Sequence, residues 1–158
     1  MSQQPDNVDD LAAAIADLCA SRSMTVGTAE SLTGGAIASA LSAAPSASDW
    51  FVGSIVAYAT RTKHELLGVS EGPVVTERAA REMAEGARRL LGADVLVAVS
   101  GAGGPEGQDG REPGTVCFGL AAAGVDEAET LHFEGSPQDV VLRSVEHSLA
   151  LLWTHLAQ

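Results

Sequence analysis

Val95-Leu96-Val97-Ala98-Val99-Ser100 runs for five residues without a polar side chain, with Gly92 and Asp94 before it and Gly101 after it. A strand with one wet face alternates polar and apolar residues, so an unbroken run predicts a strand covered on both faces by other layers. Downstream, residues 114–123 and 128–133 read as two strands joined by Gly124-Val125-Asp126, a hairpin and hence an antiparallel edge. Ser136-Pro137-Gln138-Asp139 then opens a final helix, with Ser as cap, Pro at the first helical position and Asp in the first turn.

Upstream, Thr76 caps a helix to Leu91 in which Ala80, Met83, Ala87 and Leu90 face inward. Glu77 with Arg81 and Glu85 with Arg89 are spaced as i, i+4 pairs on its solvated face. Residues 50–58 read as a strand, 60–67 as a short helix and 43–49 as a loop. Met24-Thr25-Val26-Gly27-Thr28-Ala29 is a further strand, followed after a turn by a small-residue helix over 34–41. At the start, Leu11, Ile15 and Leu18 mark an amphipathic helix over 8–22 begun by Asp6-Asn7. Five strands interleaved with helices predict an α/β fold: a three-layer α/β/α sandwich with a mixed, about five-stranded sheet. A single domain over 10–158 follows a flexible N-terminal segment, 1–9.

At 158 residues the chain is long enough for one independent core. Cys19 and Cys117 lack CxxC spacing and sit in apolar surroundings, as expected of reduced, buried thiols. No apolar run reaches the ~20 residues that cross a bilayer, and the polar, acidic first ten residues do not form a signal peptide. A cytoplasmic location is expected. The formal net charge of −12 argues against nucleic acid or an anionic membrane as partner, since both require clustered Lys and Arg. The four histidines are scattered with no HxxxH or HExxH spacing, so neither a metal nor another cofactor is expected.

The chemistry-bearing residues follow the first strand and the second. Thr28-Ala29-Glu30-Ser31-Leu32-Thr33-Gly34-Gly35 places a serine on a strand-to-helix turn, where backbone N–H groups are available to an anion. Tyr58-Ala59-Thr60-Arg61-Thr62-Lys63 brings a tyrosine and the single lysine of the chain. A serine hydroxyl must lose its proton as it attacks, and no Ser-His-Asp signature is present, His64 being the only histidine near the motif. A neutral lysine is the remaining base. At an ordinary pKa near 10.4 only about 0.04% of lysine is neutral at pH 7, and burial is what lowers that pKa. Tyr58 is then placed to bridge Ser31 and Lys63 through its hydroxyl. Taken singly, each residue has a plainer use: Ser31 or Thr33 as a helix cap, Tyr58 as a strand aromatic, Lys63 as a solvated helix residue. Gly34 and Gly35 either let a ligand approach the backbone or allow tight helix packing. Glu30 is expected to satisfy backbone or threonine groups rather than act as a base. A second glycine-rich segment, Ser100-Gly101-Ala102-Gly103-Gly104-Pro105, leaves the end of the apolar strand and opens a loop that runs to Gly114, long enough to close over a ligand. It lacks the dinucleotide fingerprint.

In order, the sequence AESLTGG, the Tyr58 and Lys63 spacing leading into Leu67-Gly68-Val69, Val75-Thr76-Glu77 and the Ser100 glycine segment resemble the CinA C-terminal domain family from Asp10 onward. Enzymatic members of that family are nicotinamide-mononucleotide deamidases. The resemblance implies a small-molecule nucleotide substrate, a Ser31–Lys63 dyad, Tyr58 lining the site, and a homodimer. It also implies substrate contacts from Thr33, Gly34 and Gly35 in the turn and from Ala102, Gly103 and Gly104 in the loop. Where the family commonly has Lys-Pro-Val-Gly-Thr, this chain has Arg111-Glu112-Pro113-Gly114-Thr115, which casts Arg111 as the phosphate contact. Thr60 stands where an asparagine is frequent. Two other readings accompany the deamidase: a non-catalytic nucleotide-binding or interaction module, and a serine amidase with another substrate.

Overall fold

The structure, a computed structural model, describes residues 3–158. Of the N-terminal segment expected to be flexible, residues 1 and 2 lie outside the described residues. Asn7 already caps the first helix, its side chain accepting the Asp10 amide, and α1 covers Val8–Arg22. There follow β1 (Val26–Glu30), α2 (Ala36–Ser42), α3 (Ala47–Trp50), β2 (Phe51–Val56), α4 (Thr60–Leu67) and α5 (Glu77–Leu91). The second half comprises β3 (Val95–Gly101), β4 (Thr115–Ala122), β5 (Val125–His132) and α6 (Pro137–Leu156).

The strands form one sheet in the order β2-β1-β3-β4-β5. β1 runs parallel to both β2 and β3, while β4 is antiparallel to β3 and β5. The mixed five-stranded α/β/α sandwich is therefore the observed fold. Its centre is β3, whose unbroken apolar run serves two cores at once through the period of two. Val95, Val97 and Val99 pack with Ile15, Ile37 and Leu149 from α1, α2 and α6. Leu96 and Ala98 pack with Leu67 and Met83 from α4 and α5. Each such fully buried aliphatic side chain contributes about 1.5–3 kcal/mol.

Helix α5 lies unusually close to its neighbours, and two glycines allow it. A Cβ on Gly86 would stand 2.1 Å from the Leu67 carbonyl oxygen, and one on Gly119 of β4 would stand 2.3 Å from that of Ala80. Gly86→Ala exchanges a helix-propensity gain of about 1 kcal/mol for an overpacking cost of about 1–3 kcal/mol against backbone that cannot swing away. We expect the clash to win and the melting temperature to fall by several degrees in a thermal denaturation scan.

Several local expectations are corrected. Residues 47–50 form the one-turn helix α3 rather than loop and strand, and Trp50 anchors it by donating its indole N–H to the Pro45 carbonyl at 3.0 Å. Leu90 is 53% exposed. Leu91, four residues beyond Ala87 on the Met83 line, packs against the core in its place. The i, i+4 pair seen on α5 is Arg78–Glu82, while Glu77 instead accepts the Thr130 hydroxyl of β5 at 2.9 Å. The hairpin turns on Ala123-Gly124 alone, because Gly124 takes a left-handed φ of 72° and β5 already begins at Val125. The Ser136 and Asp139 side chains complete a reciprocal capping box at the start of α6. Cys19 and Cys117 are free and buried, and burial pushes the Cys19 thiol up to about 11. Among the described residues no helix is long and apolar enough to cross a membrane.

Candidate active site

The three parallel strands β2, β1 and β3 carry their carboxyl ends to the same edge of the sheet. After β1 the chain enters α2, which belongs to the core with α1 and α6. After β2 it enters α4, which belongs to the core on the other face. Neighbouring strands whose continuations part to opposite faces leave a crevice at their carboxyl ends, the usual ligand position in open α/β sheets. Ser31 and Tyr58 stand at its two lips, since Glu30 pairs with Val56 and its carbonyl accepts the Ala57 amide at 2.8 Å.

A cavity of about 310 Å³ occupies this position, within the range of small-ligand pockets. Ser31, Leu32 and Tyr58 line one side, the glycine loop from Gly101 to Gln108 another, and Pro137 and Val141 of α6 close it. Two larger hollows, about 470 and 500 Å³, lie elsewhere, one beside Cys19 and Trp50 at the amino ends of β1 and β2 and one between Leu18 and Trp153. Neither is lined by Ser31, Tyr58 or Lys63.

The turn bearing Ser31 is built around Glu30, fully buried at the end of β1. Its Oε1 accepts the Thr33 hydroxyl at 2.8 Å and the amides of Gly35 and Ile37 at 3.1 and 3.0 Å. Its Oε2 accepts the Ala38 amide at 2.9 Å and the Ser54 hydroxyl at 3.2 Å. The Thr28 hydroxyl lies 2.6 Å from Ser54 Oγ and 3.3 Å from Glu30, so its single proton goes to Ser54. This carboxylate takes the role expected of a Ser31 or Thr33 cap: α2 begins only at Ala36, after Gly35 at a left-handed φ of 103°. The amides expected to meet an anion are consequently engaged. Gly34 donates to the Ser31 carbonyl, Gly35 to Glu30, and the Thr33 hydroxyl is also taken. The Leu32 and Thr33 amides donate to no protein group among the described residues.

Lys63 is 2% exposed although it is the only lysine. Burial pushes its pKa down to about 8, against the pull of the Asp109 carboxylate, which raises it. Its Nζ donates to the Tyr58 carbonyl oxygen at 3.0 Å. Tyr58 thus holds the lysine through its backbone and not through its hydroxyl, which corrects the bridging role expected for it; the ring is 71% exposed at the cavity rim. Ser31 is buried, lines the cavity, and its hydroxyl bonds to no protein group among the described residues. No hydrogen bond joins Ser31 to Lys63. Such bonds commonly form only with substrate in place.

Of the other expected contacts, Ala102, Gly103 and Gly104 line the cavity. Thr33, Gly34 and Gly35 are not among the residues that line it. Arg111 does not line it: its backbone pairs with Gln108, and its charge falls near Cys117 on β4. Gly107 and Gln108 belong to the loop expected to close over a ligand, whereas Leu32, Pro137 and Val141 are not expected as contacts from the sequence, where only the capping signature at Ser136 marks a helix that begins at the cavity. Among the described residues no three His, Cys, Asp or Glu side chains gather as a metal-holding group.

Residues 8–156 match the family described as the CinA C-terminal domain. The chain is 35% identical over 153 residues to Protein YdeJ of Escherichia coli K12, covering 93% of this chain and 89% of that one. It is 42% identical to a Symbiobacterium thermophilum protein named for competence-damage induction, over 94% of this chain but 38% of that one. The chain thus spans little more than a third of the length of that relative and of its Bacillus subtilis counterpart. Among solved structures, the competence or damage-inducible protein of Enterobacter asburiae superposes with a TM-score of 0.92 at 35% identity, covering 96% of this chain and 99% of that one. The CinA superfamily protein of Enterobacter cloacae gives 0.92 at 36% identity, covering 99% and 96%. With the family pattern matched from α1 through α6 and these solved relatives superposing over nearly the whole chain, this protein belongs to the CinA C-terminal domain family.

Proposed function

We propose that the protein is an amidohydrolase that converts nicotinamide mononucleotide to nicotinate mononucleotide and ammonia. The observation that carries this reading is a single lysine, buried, lowered to about 8 and bonded to the backbone of Tyr58, which lines the same cavity as a buried serine whose hydroxyl bonds to no protein group among the described residues. At pH 7 a lysine with a pKa of about 8 is roughly 9% neutral, about 300 times the fraction available at 10.5.

In this mechanism Ser31 Oγ attacks the carboxamide carbon while Lys63 Nζ takes its proton. The oxyanion lies against the Leu32 and Thr33 amides, a pair of donors of which each is worth about 2.7–4 kcal/mol in comparable sites. The tetrahedral intermediate expels ammonia, protonated by Lys63, and leaves an ester on Ser31. Water, deprotonated by Lys63, then releases nicotinate mononucleotide and restores the serine. The exposed Tyr58 ring forms a wall for the pyridine, and the glycine loop receives the ribose phosphate.

Because the base is the neutral amine, kcat/KM is expected to fall tenfold for each pH unit below about 8 and to level off above it, as measured by initial ammonia release across pH 6–10. The reading itself is tested by incubating the protein with nicotinamide mononucleotide and following ammonia and nicotinate mononucleotide. Equal amounts of both are expected. A folded protein that binds the nucleotide and yields neither product would favour the non-catalytic binding module, a reading supported by the bond from Lys63 to Tyr58 rather than to Ser31.

A further inference from the structure

The loop that covers the cavity is folded back by a four-residue turn in which Gln108 and Arg111 exchange backbone hydrogen bonds at 3.2 and 2.8 Å. Its central residues, Asp109 and Gly110, take φ values of 54° and 75°, the left-handed pair that an Asp-Gly turn supplies. The Asp109 side chain is not spent within the turn. Its Oδ2 accepts the amides of Val74 and Val75 at 2.8 and 3.1 Å, and Ser100 Oγ at the end of β3 donates to the Val74 carbonyl at 2.6 Å. Val74 packs with Leu67 and Val69, at and just beyond the end of the helix that carries Lys63. One carboxylate therefore ties the cavity wall at Gly107 and Gln108 to the segment that holds the base.

We propose that Asp109 is a positioning residue for Lys63: it seats the glycine loop on the Val74–Val75 backbone, beside the end of the helix that carries the base, and from there its negative charge favours the Lys63 ammonium once the Ser31 proton has arrived. The role rests on the Ser31–Lys63 chemistry proposed above. As the bond from Ser31 Oγ to carbon forms, the proton moves to Nζ and creates a cation in a desolvated place, until that proton leaves with ammonia. The other charges nearby are committed elsewhere. Arg61 and Glu65 pair with each other in solvent, and Glu71 stands at His64. Glu77 takes the Thr130 hydroxyl, and Glu30 is spent on the Ser31 turn. The Asp109 carboxylate raises the Lys63 pKa, against the larger effect of burial.

The single lysine makes this measurable without turnover, because protein grown with lysine carrying carbon-13 at Cε has one labelled residue. Asp109→Asn keeps an oxygen for the Val74 and Val75 amides and removes only the charge. In that variant the Lys63 resonance is expected to titrate at lower pH than in wild type, with kcat about threefold lower or less and KM near wild type. Asp109→Ala, which loses the anchor as well, is expected to raise KM in addition. Unchanged titration in Asp109→Asn, with the fold confirmed by its melting temperature, would overturn the proposal. A shifted titration in protein that does not hydrolyse nicotinamide mononucleotide would uphold the charge coupling and reject the substrate instead.

Discussion

Replacing Lys63 with methionine is expected to lower kcat/KM by a factor of about 10³ or more while leaving the fold as stable as wild type, or more stable, at pH 7. The two halves of this result have separate causes. Activity falls because no other side chain at the crevice offers a neutral amine to take the Ser31 proton. Stability is preserved because the wild-type lysine is held where its charge is poorly solvated. A fall from an ordinary 10.5 to about 8 corresponds to about 3 kcal/mol against the charged form. Methionine has nearly the same length and no charge, so it removes that cost. What it forfeits is the bond to the Tyr58 carbonyl, worth about 1 kcal/mol as a bond and about 1–3 kcal/mol if the carbonyl is left dry. The balance is near zero or a gain of up to about 2 kcal/mol.

The same linkage fixes the sign of the pH dependence. Between about 8 and 10.5 the unfolded chain holds a proton on Lys63 that the folded chain has released, so Lys63 makes the wild type more stable as pH rises through that window. Below about 8 both states are protonated and the folded state carries the full penalty. Urea denaturation of both proteins at pH 7 and pH 10 measures this directly, with the Lys63→Met advantage expected to shrink at the higher pH. A variant several kcal/mol less stable than wild type at pH 7 would show that the lysine is structural.

The second large effect is expected at Glu30. Alanine there withdraws the acceptor from the Gly35, Ile37 and Ala38 amides and from the Thr33 and Ser54 hydroxyls. Hydroxyls can turn elsewhere, but the amides of Gly35, just before α2, and of Ile37 and Ala38 in its first turn cannot, and an unmet donor costs about 1–3 kcal/mol where water does not reach it. The sum, about 4 kcal/mol or more, is a large share of the 5–15 kcal/mol typical of a folded domain. Thermal denaturation of Glu30→Ala should show a melting temperature lowered by 10 °C or more, on the order of 2–4 °C for each kcal/mol in a chain of this size. Even protein that remains folded should lose turnover, because the bonds that set the Ser31 turn are gone. Retention of wild-type stability would mean that water replaces the carboxylate freely.

The contrast between these two buried charges explains what the sequence could and could not reveal. Val95 to Ser100 announced a doubly covered strand because composition alone distinguishes that environment, and the observed cores on either side of β3 follow from it. Capping at Asn7, Thr76 and Ser136 was legible because each cap acts within three residues of itself. Ser31 and Lys63 stood out through their motif and through the rarity of lysine. By contrast, the convergence of five donors on Glu30 and the bond from Lys63 to the Tyr58 carbonyl depend on where side chains point within irregular turns, and the Asp109 grip on Val74 joins elements 35 residues apart. No periodicity records that. The difference between Leu90 and Leu91 is of the same kind, a rotation of one position about the α5 axis settled by what the helix meets.

Ammonia release from nicotinamide mononucleotide by wild type and Ser31→Ala, side by side at pH 8.5, is the most direct measurement of the central claim. Wild type is expected to release ammonia and nicotinate mononucleotide in equal amounts, and the serine variant, equally folded, to be slower by a factor of about 10³ or more. Undiminished release by Ser31→Ala would contradict it.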